Sequence, residues 1–74
     1  MSLDLFVRER RPVWDRLAGI VAIAQRRGVR RLPADDANDM VHLYRNVSAD
    51  LARLRSLEAD PGLVTEINRL VARA

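Results

Sequence analysis

Two clusters of helix-breaking residues, Gly28 with Pro33 and then Asp60-Pro61-Gly62, divide this 74-residue chain into three stretches of helical periodicity. In the first, about residues 3–27, Phe6, Val13, Leu17, Ile20 and Ala24 fall on one helical stripe that Trp14 and Val21 widen. Ser2 is a candidate cap, and Pro12, which has no N–H to donate, predicts a kink or a restart with Pro12 in a first turn. Gly28 after Arg26-Arg27 predicts the stop. The second stretch, about residues 34–59, opens with Asp35 and Asp36, where the helix dipole favours negative charge. Its main stripe is Met40, Tyr44, Val47, Leu51 and Leu54. The third, about residues 61–73, starts from Asp60 as N-cap with Pro61 at N1 and buries Leu63, Val64, Ile67, Leu70 and Val71. Nothing alternates with period two, so no strand is predicted. The expected fold is all-α and one domain over residues 1–74: an antiparallel hairpin of two long helices with a shorter third packed against it.

The lengths of these helices carry a consequence. Helices of about 25 residues make a rod roughly 35–40 Å long, and a third of about 12 residues covers only part of it. A chain this size buries only about 60% of its unfolded surface. Something further, a second copy or a missing C-terminal region, is therefore expected to cover the remainder. Gly19 between Ala18 and Ala22 permits close helix approach, either within the molecule or as a homodimer seam. Phe6, Trp14, Leu51 and Ile67 read as core residues.

Charge is unevenly spread. All thirteen basic residues are arginine, and the net charge is +3. Residues 8–31 carry eight arginines against Glu9 and Asp15, whereas residues 32–74 carry five against seven acids. The positive field belongs to the first third of the chain and would attract anionic lipid, nucleic acid or an acidic protein face. Arg26, Arg27, Arg30 and Arg31 cluster at the first break, either as a solvated helix end or as a contact for anionic headgroups. A nucleic-acid role is disfavoured there, because Asp35, Asp36 and Asp39 open the following helix and repel phosphates. The longest apolar run, Leu17–Ala24, has eight residues, where a spanning helix needs about 20. No secretion signal is expected, since Asp4 and then arginines follow Met1.

One acid breaks the apolar pattern. Leu43, Val47, Leu54 and Leu57 lie at buried-face spacing, and Asp50 occupies a slot among them. An unpaired carboxylate there would cost several kcal/mol. Arg53 one turn on, or Arg8 or Arg16 of the first helix, are the expected partners, giving either an interhelical pin for the hairpin register or a stripe-edge residue reaching solvent. No second carboxylate is placed to share acid–base work with Asp50. Tyr44 belongs to the core stripe with its hydroxyl at the edge, and Arg45 to the surface. Asp39 and His42 have the three-residue spacing of di-iron bundles, but Glu9, Glu58 and Glu66 are not arranged to complete such a site, so His42 reads as a surface residue. There is no cysteine, no nucleophile–base set and no glycine-rich phosphate loop, and no metal or cofactor is expected.

Four blocks, Phe6–Leu17, Arg26–Leu32, Leu43-Tyr44-Arg45 with Ala49-Asp50-Leu51, and Ile67–Val71, resemble in order and spacing the N-terminal region of the stage II sporulation protein M family of bacterial membrane proteins. That resemblance implies a helical module on the cytoplasmic side of the bacterial inner membrane, preceding a multi-pass membrane domain and linked to cell-envelope remodelling as a scaffold. Two departures accompany it: no spanning stretch is present, and Leu17–Ala24 is more apolar than the family's helix, which favours self-association. The expected function is a non-enzymatic helical assembly module. The alternative is a small basic helical regulatory or nucleic-acid-binding protein.

Overall fold

A computed structural model describes residues 3–74; Ser2, the candidate cap, lies outside the described residues. Helix α1 spans Leu3–Arg27, α2 Ala34–Ser56 and α3 Pro61–Arg73, with a single 3₁₀ turn at Val29–Arg31 between the first two. The fold is all-α. At 1.5 Å per residue the 25-residue α1 should be about 38 Å long, and the long axis of the molecule is 38 Å. Helix α2 packs against both α1 and α3, and α3 also reaches α1.

Each break in the sequence has a physical cause. Gly28 ends α1 at φ +87°, its N–H bonded to the Ala24 carbonyl at 2.8 Å. With ψ 149° that backbone region is open essentially to glycine alone and costs a residue with a Cβ on the order of 1–3 kcal/mol. Helix α2 lacks a side-chain cap at Pro33, and Asp35 and Asp36 offset its exposed N–H groups electrostatically. At the start of α3 the Asp60 Oδ2 accepts from the Leu63 N–H at 3.2 Å. Gly62 leaves room for that cap, because a Cβ there would sit 2.9 Å from the same Asp60 oxygen.

Two expectations about the helices are corrected. α1 continues as helix through Pro12 and does not restart. Pro12 and Arg8, whose carbonyl loses its donor, are both exposed, so water can satisfy that carbonyl. α2 stops at Ser56, three residues short of the expected end. Glu58 adopts φ +52°, donating to the Arg55 carbonyl, while the Ala59 N–H reaches back to the Leu54 carbonyl at 3.0 Å. This is a Schellman stop, with buried Ala59 packing in the same cluster as Leu54. Leu57, read from its spacing as a buried residue, falls beyond the helix and is 40% exposed.

The core runs between all three helices: Phe6, Trp14, Leu17 and Val21 of α1, Val47, Leu51 and Leu54 of α2, and Ile67 and Leu70 of α3. Trp14, Leu17, Val47, Leu54 and Ile67 are sealed from water almost completely. At about 25 cal/mol per Å² of apolar surface, each such side chain contributes roughly 1.5–3 kcal/mol of burial. Among the described residues no helix is long and apolar enough to cross a membrane.

Candidate functional site

Asp50 is the one charged residue in this core, 8% exposed. Its Oδ2 accepts from the indole Nε1 of Trp14 at 2.9 Å and from Nε of Arg10 at 2.9 Å. Arg10 and Trp14 stand one turn apart on α1, so both reach the same point of α2. The expected partners were others. Arg8 lies two residues from Arg10, about 200° around the helix, and is exposed. Arg16 turns the other way and donates to Asp36 and Asp39, both at 3.1 Å. Hydrogen bonds to Asp39 and then Asp36 hold the Arg16 guanidinium above its ordinary pKa. Arg53 lays its guanidinium 5.4 Å from the Phe6 ring and lines the same shallow concavity as Arg10 and Asp50.

Trp14 is held on three sides. Phe6 meets it edge-on with centroids 6.4 Å apart, and Arg11 lies over its face at 5.3 Å. Arg11 also donates to Glu66 of α3 at 2.6 Å. A polar chain from Asp50 through Trp14 and Arg11 to Glu66 thus touches α2, α1 and α3 in turn. Both bonds on Asp50 Oδ2 come from α1, so the carboxylate ties α2 to α1. Reasoning from sequence missed Arg10 and the indole N–H. The signal was present: a buried tryptophan seeks an acceptor, and Asp50 is the only acid in an apolar stripe.

A second feature lies along α2. Arg55, Leu51, Ser48, Tyr44, Val41 and Ala37 recur at three and four residues and so share one stripe. The lower half of this stripe seats α3: Leu51 packs with Ile67 in the core, and Arg55 donates to Asn68 at 3.1 Å. The upper half is open. Ala37, Met40, Val41 and Tyr44, with Val29, Leu32 and the last residue Ala74, line an apolar depression of about 340 Å³. Tyr44, expected in the core, is 43% exposed at the rim of this depression. Val41 and Val29 are 55% and 65% exposed. Gly19 is exposed on the far side of α1, and a Cβ built on it meets nothing within 4 Å, so it mediates no packing within the molecule.

The third feature is the basic tip. Arg26 and Arg27 end α1, Arg30 and Arg31 belong to the 3₁₀ turn, and all four are exposed. Arg26, Arg27 and Arg31 line one concavity. The ion pairs of the described residues use Arg10, Arg11 and Arg16, and none uses these four. His42 is exposed, and Asp39 beside it is engaged by Arg16. Among the described residues no three histidine or carboxylate side chains gather in a way that could hold a metal ion.

Neither a curated protein nor a solved structure matches this chain. One family model does, over residues 4–74, and the chain therefore belongs to the family described as Domain of unknown function (DUF8413).

Proposed function

We propose that this domain is a non-enzymatic helical assembly module that pairs with a second copy of itself through the open half of the α2 stripe. The observation that carries this reading is the continuity of that stripe. Its lower half packs against α3; its upper half presents the same apolar spacing around an open depression. Exposed Val29, Val41 and Tyr44 are contiguous around the depression, an expensive arrangement for so small a chain in isolation. The seven lining side chains carry no charge, so the patch can face itself across a two-fold axis without opposing charged side chains. The four sequence blocks resembling the stage II sporulation protein M region add a setting to this proposal, a scaffold at the cytoplasmic face of a bacterial inner membrane. A small basic helical regulatory or nucleic-acid-binding protein is the second reading, and the exposed basic tip at residues 26–31 is the feature that favours it.

The test is sedimentation equilibrium from about 5 μM to about 500 μM, where micromolar interfaces dissociate. The native chain should pass from monomer to dimer. Tyr44→Glu and Val41→Glu should remain monomeric with unchanged helical content, while Gly19→Leu should still dimerise. A native chain that stays monomeric throughout, or a Tyr44→Glu variant that dimerises equally well, would overturn the proposal. Loss of the dimer in Gly19→Leu alone would move the seam to the outer face of α1.

A further inference from the structure

The basic tip and the exposed valine within it point to a second interaction that goes beyond the pairing proposed above; Val29 stands at the rim of the pairing depression, so it is assigned here to the lipid, and Val41 and Tyr44 remain the pairing contacts. We infer that the turn at residues 26–31 docks this domain on an anionic phospholipid surface, with Arg26, Arg27, Arg30 and Arg31 on the headgroups and Val29 inserted between them. Four observations converge on this end of the molecule. All four arginines are exposed and unused by the ion pairs of the described residues. Three of them, Arg26, Arg27 and Arg31, line one open concavity. Val29 is the most exposed large apolar residue of the described chain, at 65%, and sits between the two arginine pairs. Finally, Arg16 draws Asp36 and Asp39 away to itself, which leaves Asp35 as the one unengaged carboxylate of the α2 first turn.

The combination matters more than any part. Arginines alone would suit any polyanion, and an exposed valine alone would be ordinary surface. Basic side chains ringing a protruding apolar one match the layered chemistry of a bilayer surface, with phosphates outside and acyl chains beneath. Duplex DNA offers phosphates but no apolar layer for Val29 to enter. A rigid turn also serves this purpose well. Gly28 at φ +87° fixes the direction of the tip, and the Leu32 N–H closes the turn on the Val29 carbonyl at 3.1 Å.

Vesicle co-sedimentation tests the inference. The probes are phosphatidylcholine vesicles with about 30% phosphatidylglycerol, phosphatidylcholine vesicles alone, and a short DNA duplex, all at low ionic strength where surface charge acts at full range. The native chain should bind the anionic vesicles and not the neutral ones. Replacing all four arginines by glutamine should weaken that binding by roughly 500-fold, since each contributes about fivefold near an acidic surface. Val29→Ser keeps every charge and should still cost several-fold. Because the chain contains no cysteine, Val29→Cys provides a single labelling position. An environment-sensitive dye there should shift to the blue on anionic vesicles and not on DNA. Absence of vesicle binding, binding indifferent to the arginine set, or a label that stays in water while the protein is bound would each overturn the inference. Equal arginine-dependent affinity for DNA with no dye shift would assign the tip to nucleic acid.

Discussion

Asp50 shows how one residue organises three helices. Its carboxylate takes the indole N–H of Trp14 and the Nε of Arg10, and Trp14 is 1% exposed. Removing the acceptor orphans a buried donor, which costs about 1–3 kcal/mol, whereas half-buried Arg10 recovers water. Asp50→Ala should therefore destabilise by about 2 kcal/mol, a fall in Tm of roughly 10–15 °C for a domain of this size. Asp50→Asn retains an acceptor and should lose about half as much. A double-mutant cycle with Trp14→Phe, read by thermal melts, isolates the indole bond; coupling of about 1 kcal/mol is expected, and strict additivity would show that the bond carries no net energy. The sequence made the need for a partner plain and concealed its identity. Spacing identifies which residues share a face of one helix, but the register of α1 against α2 decides whether Arg8, Arg10 or Arg16 meets Asp50. That register follows from packing across the hairpin, for which a single chain's periodicity holds no signal.

At the scale of elements, the boundaries marked by glycine, proline or aspartate were legible, and the end of α2 was not. Proline after a break and aspartate before it act locally, and Asp60 with Pro61 opens α3 where expected. The end of α2 was overlooked because the residue in the left-handed position is Glu58, where glycine would have signalled a stop. Tertiary contacts hold it there: Ala59 and Leu54 are both buried in the core and close the turn between them. A glutamate at φ +52° pays a conformational cost that glycine avoids. Glu58→Gly should accordingly stabilise the domain by about 0.5–1 kcal/mol, net of the entropy glycine adds to the unfolded chain, measurable as a higher midpoint in urea at unchanged slope. A lower midpoint would mean that the Glu58 side chain contributes more than its backbone costs. Pro12 makes the opposite point. Pro12, read as the site of a kink or a restart, lies inside a continuous α1 on an exposed turn, where water can satisfy the Arg8 carbonyl it leaves without a donor.

For the whole molecule, the open apolar depression on the α2 stripe is the feature from which the pairing proposal grows. Spacing put Tyr44 on the core stripe but holds no signal for which part of that stripe a neighbouring helix covers, and so Tyr44, 43% exposed, was misread as core. The proposal also has a thermodynamic consequence separate from the existence of a dimer. For a dimer that dissociates as it unfolds, each tenfold rise in concentration adds about 1.4 kcal/mol per dimer to the folded side. Unfolding entropy of about 2.1 cal/mol/K per residue amounts to roughly 0.3 kcal/mol/K for two copies, so Tm should rise by about 4–5 °C per tenfold increase in concentration. Tyr44→Glu should melt at a temperature independent of concentration, close to the dilute limit of the native chain. Asp50→Ala should melt lower at every concentration yet keep the native slope, because its lesion lies within each copy. A native Tm that does not move with concentration would mean that the core of one copy supports the fold alone, and that the open α2 stripe adds nothing to its stability.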